Sequence, residues 1–450
     1  MIKTFVNAWK IPELRKKILF TALIILIFRI GSVIPVPFVN LTGNEFSSNE
    51  FAGTFIQYLS IMTGEAFTYG TIFAMSITPY INSSIIMQLL TVAIPALERL
   101  SKEGEEGRKK IATITRYVTV LLAVMQSTAY YFFIKNAGYL SVSASGAPYT
   151  GVWEVLQAVT IILCFTAGAA LIMWLGEQIN EKGIGNGISM ILFAGIVSRI
   201  PTMLANLFHP NPQIGYWGQG GAYRVLAPIV VVIMLLMIAY IVWMDNAERR
   251  IPVQYAKRVV GRKMYGGQNT HIPIKVNMSG VMPIIFASSI LSLPPTIQLF
   301  VKNPSEGWQK FFEIFQADHW AYGLMYFFMI IFFAYFYATI QYNPIEMANN
   351  IRKNSGAIPG IRPGKPTSDY IGKILSRITL LGALLISVVA IFPILYSQIC
   401  GLEIFHKYLP NGMNISLGGT SIIILVGVAL ETVKQLESQM MMRHYKGFLD

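Results

Sequence analysis

The chain has 450 residues, 54% of them hydrophobic and only 13% charged, with a mean hydropathy of +0.53 and a formal net charge of +13. Soluble domains carry roughly 25% charged residues, so a soluble enzyme is excluded and a polytopic membrane protein is predicted. The two cysteines, Cys164 and Cys400, lie in or beside apolar runs and provide neither a disulfide framework nor a metal motif.

The N-terminal segment is basic but lacks a short apolar stretch followed by a small-residue cleavage site, so no cleaved signal or transit peptide is expected. A bilayer core of about 30 Å needs about 20 apolar residues per helix. Ten spans are predicted, at 18–37, 71–97, 112–135, 153–175, 184–205, 225–245, 278–300, 320–342, 372–396 and 419–437. The second is preceded by Ala52–Tyr69, which is too polar at Gln57, Ser60, Thr63 and Glu65 to cross. It reads as an amphipathic half-helix that dips into the membrane and turns at Gly64 or Gly70, or as an ordinary loop helix.

The connecting segments segregate by charge. Of the 35 Lys and Arg, 26 fall on one side, which holds both termini and the segments near 98–111, 176–183, 246–277 and 343–373. Six fall on the other side, and Arg29, Arg116 and Arg377 lie within spans. This asymmetry predicts that both termini are cytoplasmic. The segment 246–277 is the most unusual, with seven Lys/Arg between Ala247 and Val276 against one carboxylate, Glu248. The positive-inside rule accounts for a short basic loop such as 98–111, but it does not require loops as long as 246–277 and 343–373. Those two are expected to dock something anionic: ribosomal RNA, acidic lipid or an acidic protein face.

Two spans are poor membrane helices. Thr78, Asn82, Ser83, Ser84 and Gln88 interrupt the second, and Ser288, Ser289, Ser292 and three prolines interrupt the seventh. They predict either a wall that faces water and opens, or tight packing through small residues. No Asp or Glu lies at mid-span, where coupled carriers place ionisable groups. Arg29 is the one cation expected well inside a span. The five histidines are scattered, GIGNG at 183–187 follows no strand, and GIRPGK at 360–365 is one residue short of a nucleotide loop. No catalytic residue, metal site or cofactor is predicted.

FRIGSVIPVP at 28–37, TPYINSSIIMQLL at 78–90 and KEGEEGRKKI at 102–111 resemble segments of the SecY/Sec61-alpha family, the channel subunits of protein translocons. So do WLGEQINEKGIGNGIS at 174–189, NAERRIPVQYAKR at 246–258, THIPIKVNMSGVMPIIFASS at 270–289, IPGIRPGKPT at 358–367 and GGTSIIILV at 418–426. The resemblance covers nearly the whole chain.

It implies an all-α fold of ten transmembrane helices in two inverted, pseudo-symmetric five-helix halves, 1–205 and 206–450, around a central pore. Ile81, Ile85, Ile188, Leu192, Ile285 and Ile424 would form an aliphatic ring that blocks ions yet flexes around a peptide. A re-entrant plug near 52–70 would include Tyr58, Leu59, Ile61, Met62, Gly64 and Phe67. The weak second and seventh spans would form a lateral gate, with Asn82, Gln88, Asn277, Ser288 and Ser289 at it, held shut by a few hydrogen bonds of about 0.6 kcal/mol each. Arg249, Arg250, Arg262, Lys263 and Arg362 would dock the SecA motor ATPase and the ribosome. Further implied partners are SecE, SecG, signal sequences, nascent polypeptides and membrane lipid, at the bacterial plasma membrane. The other reading is a secondary solute transporter.

Overall fold

The computed structural model describes residues 2–40, 66–136, 138–141, 151–211, 216–219, 223–255, 258–260, 263–265, 269–298, 305–315, 319–400 and 419–446. A short helix α1 (Ile2–Lys10) leads into α2 (Pro12–Gly31). Pro12 takes the first turn, where its missing N–H costs nothing, and Glu13 there complements the helix dipole. Gly31 ends the helix, and the Ser32 hydroxyl donates to the Phe28 carbonyl at 2.8 Å. The first span therefore begins and ends earlier than 18–37, because helix continues through the basic residues Arg15–Lys17 and stops before Pro35. Arg29 consequently sits in the last turn of α2 rather than deep within it, where a cation favours the dipole.

The second predicted span is also corrected. Thr71 bridges to Pro35, residues 72–77 are turns, and α3 (Thr78–Ala93) starts beside Pro79. Ile94 is extended before Pro95, as pre-proline residues prefer, and the chain bends by 101° into α4 (Pro95–Lys102). Three helices follow: α5 (Glu105–Asn136), α6 (Val152–Lys182) and α7 (Gly187–Val197), the last continued by α8 (Ile200–Phe208). One short helix, α9 (Tyr216–Gln219), precedes α10 (Tyr223–Asn246). The seventh predicted span is a broken pair, α11 (Met282–Leu291) and α12 (Leu293–Gln298), not a continuous helix over 278–300. Hydroxyls of Ser288 and Ser292 donate back to the Ile285 and Ser289 carbonyls at 3.0 and 2.6 Å, a pattern that weakens the helical ladder. The chain ends in α13 (Glu306–Ile314), α14 (Trp320–Gln341), α15 (Pro344–Lys353), α16 (Lys365–Cys400) and α17 (Gly419–Lys446).

Among the described residues, seven helical segments are long and apolar enough to cross a membrane, or eight if the bent pair α3–α4 counts as one. The helices pack in two groups with the same pairing order. In the first, α2 meets α6 and α7, α3 meets α5, α5 meets α6, and α6 meets α7. In the second, α10 meets α16 and α17, α11 meets α14, α14 meets α16, and α16 meets α17. The groups touch along two main seams, α3 against α11 and α7 against α17. One continuous apolar cluster runs through both groups.

The all-α expectation fails in the basic loops. Strands β1 (Glu248–Tyr255) and β4 (Asn269–Lys275) pair antiparallel, and β5 (Gly356–Ala357) joins the other edge of β1. A smaller ribbon, β2 (Arg258–Val260) with β3 (Lys263–Tyr265), lies between β1 and β4 in sequence. Ile251 and Val253 alternate inward, onto a separate core with Ile274, Ile351, Ile358 and Ile371. The two basic loops are thus joined in one folded unit.

Candidate functional site

Helix α7 carries Ile188 and Leu192, one turn apart, and the GIGNG segment before it sets its position. Asn186 caps the helix, its Oδ1 accepting from the Ile188 and Ser189 N–H groups at 3.1 and 3.4 Å. Three backbone donors of the loop are also taken by side chains. The Ile184 N–H donates to Thr21 Oγ1 at 3.0 Å, the Gly185 N–H to Gln435 Oε1 at 2.8 Å, and the Gly187 N–H to Asn180 Oδ1 at 2.7 Å. A motif without nucleotide chemistry is therefore a bracket that fastens α7 to α2, α6 and α17.

The other candidate pore residues come from three further helices: Ile81 and Ile85 from α3, Ile285 from α11 and Ile424 from α17. Ile85, Leu192, Ile285 and Ile424 are buried, Ile81 and Ile188 half-buried, and all six belong to the one apolar cluster that joins the two helix groups. Side chains four apart on a helix share a face, so each pair on α3 and α7 presents one continuous aliphatic surface.

The polar residues at the α3–α11 seam do not behave as expected. Gln88 donates within its own helix to Ser84 Oγ at 3.2 Å, and Ser83 ties α3 to α5 by donating to the Thr115 carbonyl at 2.8 Å. Asn82 is buried, and its Oδ1 has no hydrogen-bond partner. Ser288 bonds within α11, and Ser289 is buried beside it. Asn277 turns away, its Nδ2 donating to Asp245 Oδ1 at 3.3 Å. Among the described residues, no hydrogen bond from Asn82, Gln88, Asn277, Ser288 or Ser289 crosses the seam, which is held by apolar packing.

Of the candidate plug residues, Tyr58, Leu59, Ile61, Met62 and Gly64 lie outside the described residues. Phe67 is buried, and its carbonyl accepts a hydrogen bond from the Tyr130 hydroxyl. Their rings lie 4.3 Å apart, in an apolar cluster with Phe165 and Ile161. Gly70 adopts a positive φ of 56° in the turn that follows.

Four of the five candidate docking residues are among the described residues. Arg249 and Arg250 are exposed on β1, with Arg250 Nε donating to Glu248 Oε1 at 2.7 Å. Lys263 begins β3, and Arg262 is outside the described residues. Arg362 is exposed between two glycines of positive φ, Gly360 and Gly364, and Thr367 Oγ1 donates to its carbonyl at 2.8 Å. The loop is thus braced from inside while the guanidinium points to solvent.

Sequence reasoning missed Lys434, Gln435 and Thr21, and gave Asp245 no role. Lys434 Nζ donates to Asp245 Oδ2 at 3.2 Å. No motif announces this pair, because its members are far apart in sequence and each alone reads as an ordinary charge near the end of a predicted span. Among the described residues there is no cluster of His, Cys, Asp and Glu suited to a metal ion.

Comparison with known proteins supplies the context. Residues 71–433 match the SecY family model. The chain is 42% identical to the protein translocase subunit SecY of Streptomyces galbus over 453 residues, covering 100% of both chains. It is 41% identical to the same subunit of Mycobacterium tuberculosis strain H37Rv over 462 residues, again the whole of both. Among solved structures it is similar to one described as a protein conducting channel, with a TM-score of 0.60 at 17% identity, covering 94% of this chain and 92% of that one. It is also similar to Sec61 in the canine ribosome–channel complex, with a TM-score of 0.56 at 15% identity over 94% and 92% of the chains. At these identities the structural likenesses speak for the fold.

Proposed function

The chain belongs to the SecY family, and from that premise we propose how it works as the channel subunit of a protein translocase. It conducts unfolded secretory polypeptides across the membrane and releases apolar segments sideways into lipid. It has ten spans in two inverted halves, 1–205 and 206–450, and the recurring pairing order of the two helix groups supports that layout. The observation that carries the reading is the convergence of Ile81, Ile85, Ile188, Leu192, Ile285 and Ile424 from four helices and both halves into one apolar body. A narrow aliphatic constriction dewets and blocks ions, yet its side chains yield to a passing chain.

The seam between α3 and α11 serves as the lateral gate, and Phe67 lies at the base of the plug. Exposed Arg249, Arg250 and Arg362 on the sheet unit support docking of SecA or the ribosome, whose work drives transport; the channel itself is passive. SecE and SecG complete the complex in the bacterial plasma membrane, with both termini cytoplasmic, as the distribution of Lys and Arg favours. The secondary-transporter reading has no support from the relatives.

A photo-crosslinking residue at Ile285 tests this, with a secretory protein stalled in transit. An adduct that requires both the signal sequence and the motor or ribosome is expected. A stalled chain that crosslinks elsewhere in the protein but never at Ile285 would refute the pore assignment.

A further inference from the structure

The docking sheet and the gate helix α11 share one root. Strand β1 begins just beyond α10, and its Glu248 stands opposite Lys275 at the end of β4. The ladder continues past that pair, with the Val276 N–H donating to the Ala247 carbonyl at 2.9 Å. The next residue is Asn277, which donates to Asp245 Oδ1, while Lys434 on α17 donates to Asp245 Oδ2. One carboxylate at the end of α10 therefore ties the segment that leads from β4 into α11 to α17. The segment is wedged from the other side as well. A Cβ on Gly382 of α16 would stand 2.3 Å from the Val276 carbonyl oxygen, so only glycine allows that approach. Ser279 Oγ donates to the Ala334 carbonyl of α14 at 3.3 Å.

We propose that Asp245 and Lys434 are positioning residues that couple the docking sheet to the lateral gate, so that a force on the sheet is delivered to α11 through Asn277. This rests on the reading of the sheet as the docking surface and of α11 as a gate helix. The physical argument is one of shielding. The Asp245 side chain is only 16% exposed and the Lys434 side chain 36%, so the pair is less screened than an open surface pair. Without Lys434, a largely buried carboxylate loses its countercharge and turns toward water. Asn277 then loses the partner of its Nδ2, and its buried Oδ1 has none to begin with. The start of α11 is released from the sheet, and movement of one no longer dictates movement of the other.

The test uses the purified channel complex in proteoliposomes with SecA and a secretory precursor, reading SecA affinity and the translocation rate at saturating SecA separately. Lys434→Met is expected to slow translocation about five-fold, the low end of typical coupling between sites, with SecA affinity unchanged. Lys434→Arg, which keeps the cation, restores the rate. A charge-swapped pair, Asp245→Lys with Lys434→Asp, also restores it, since the new ammonium has the Asn277 Oδ1 to bond. Wild-type abundance of each variant in the membrane separates coupling from misfolding. An unchanged rate in Lys434→Met, a loss of SecA affinity in it, or a normally abundant swap variant that stays slow would overturn the proposal. Arg362→Glu provides the contrast: it should lose SecA affinity but recover its rate at saturation. If it binds SecA normally, the docking assignment falls on its own, whatever Lys434→Met does.

Discussion

Gly187, the first residue of α7, lies directly against the carbonyl of Gly176 on α6: a Cβ there would stand 1.9 Å from that oxygen. Gly187 lets the backbone of α7 approach that of α6 more closely than any side chain there allows, and this approach sets the height of Ile188 and Leu192 in the apolar cluster. Gly187→Ala forces a backbone shift. Overpacking of a close contact costs typically 1–3 kcal/mol, so a destabilisation of about 2 kcal/mol is expected. Thermal unfolding of the detergent-solubilised complex measures it. An alanine variant as stable as the parent would mean that α6 and α7 do not pack this closely.

Asn82 gives a prediction of opposite sign. Its Oδ1 is buried on α3, the proposed gate helix, without a hydrogen-bond partner, and such a group costs about 1–3 kcal/mol. Asn82→Leu removes that cost and adds apolar contact between α3 and α11. The closed channel should become more stable and signal-driven opening slower, a pairing that a purely structural role does not produce. A higher melting temperature together with a lower initial translocation rate is the expected result. A faster channel would show that Asn82 does not oppose closure.

Arg362 is exposed, and its loop is braced through its own carbonyl rather than its side chain. Charge reversal should therefore leave the fold intact and act on the partner alone. A contact of about 1.4 kcal/mol corresponds to a tenfold change in affinity. Arg362→Glu is expected to raise the SecA concentration needed for half-maximal export about tenfold, with normal amounts of channel in the membrane. Titration of SecA in a translocation assay reads this directly, and an unshifted midpoint would remove Arg362 from the docking surface.

The candidate site was legible in the sequence to different depths. The six aliphatic residues came from family resemblance, and the structure gathers them in one cluster. Asn82, Gln88, Ser288 and Ser289 were visible as polar interruptions and Asn277 came from the resemblance, but the partners of these candidate gate residues were not legible: Gln88 bonds within α3 and Asn277 bonds to Asp245. The strands were missed because their apolar alternation is weak. Two inward residues, Ile251 and Val253, make a faint alternation, and Gly356–Ala357 of β5 has none.

What the sequence determines by itself is what depends on local composition. A helix that crosses lipid must satisfy its own backbone and present about 20 apolar residues, so the existence of the spans and the membrane class follow from hydropathy. Helix ends do not, because hydropathy marks where lipid begins whereas Pro12, Pro79 and Pro95 mark where helical hydrogen bonding starts or fails. The tertiary structure alone decides which distant residues meet. It joins the two basic loops through β1 and β5, and it brings Lys434 to Asp245 across 189 positions of sequence. Such contacts arise when packing places one element beside another, and no local preference of either residue encodes them.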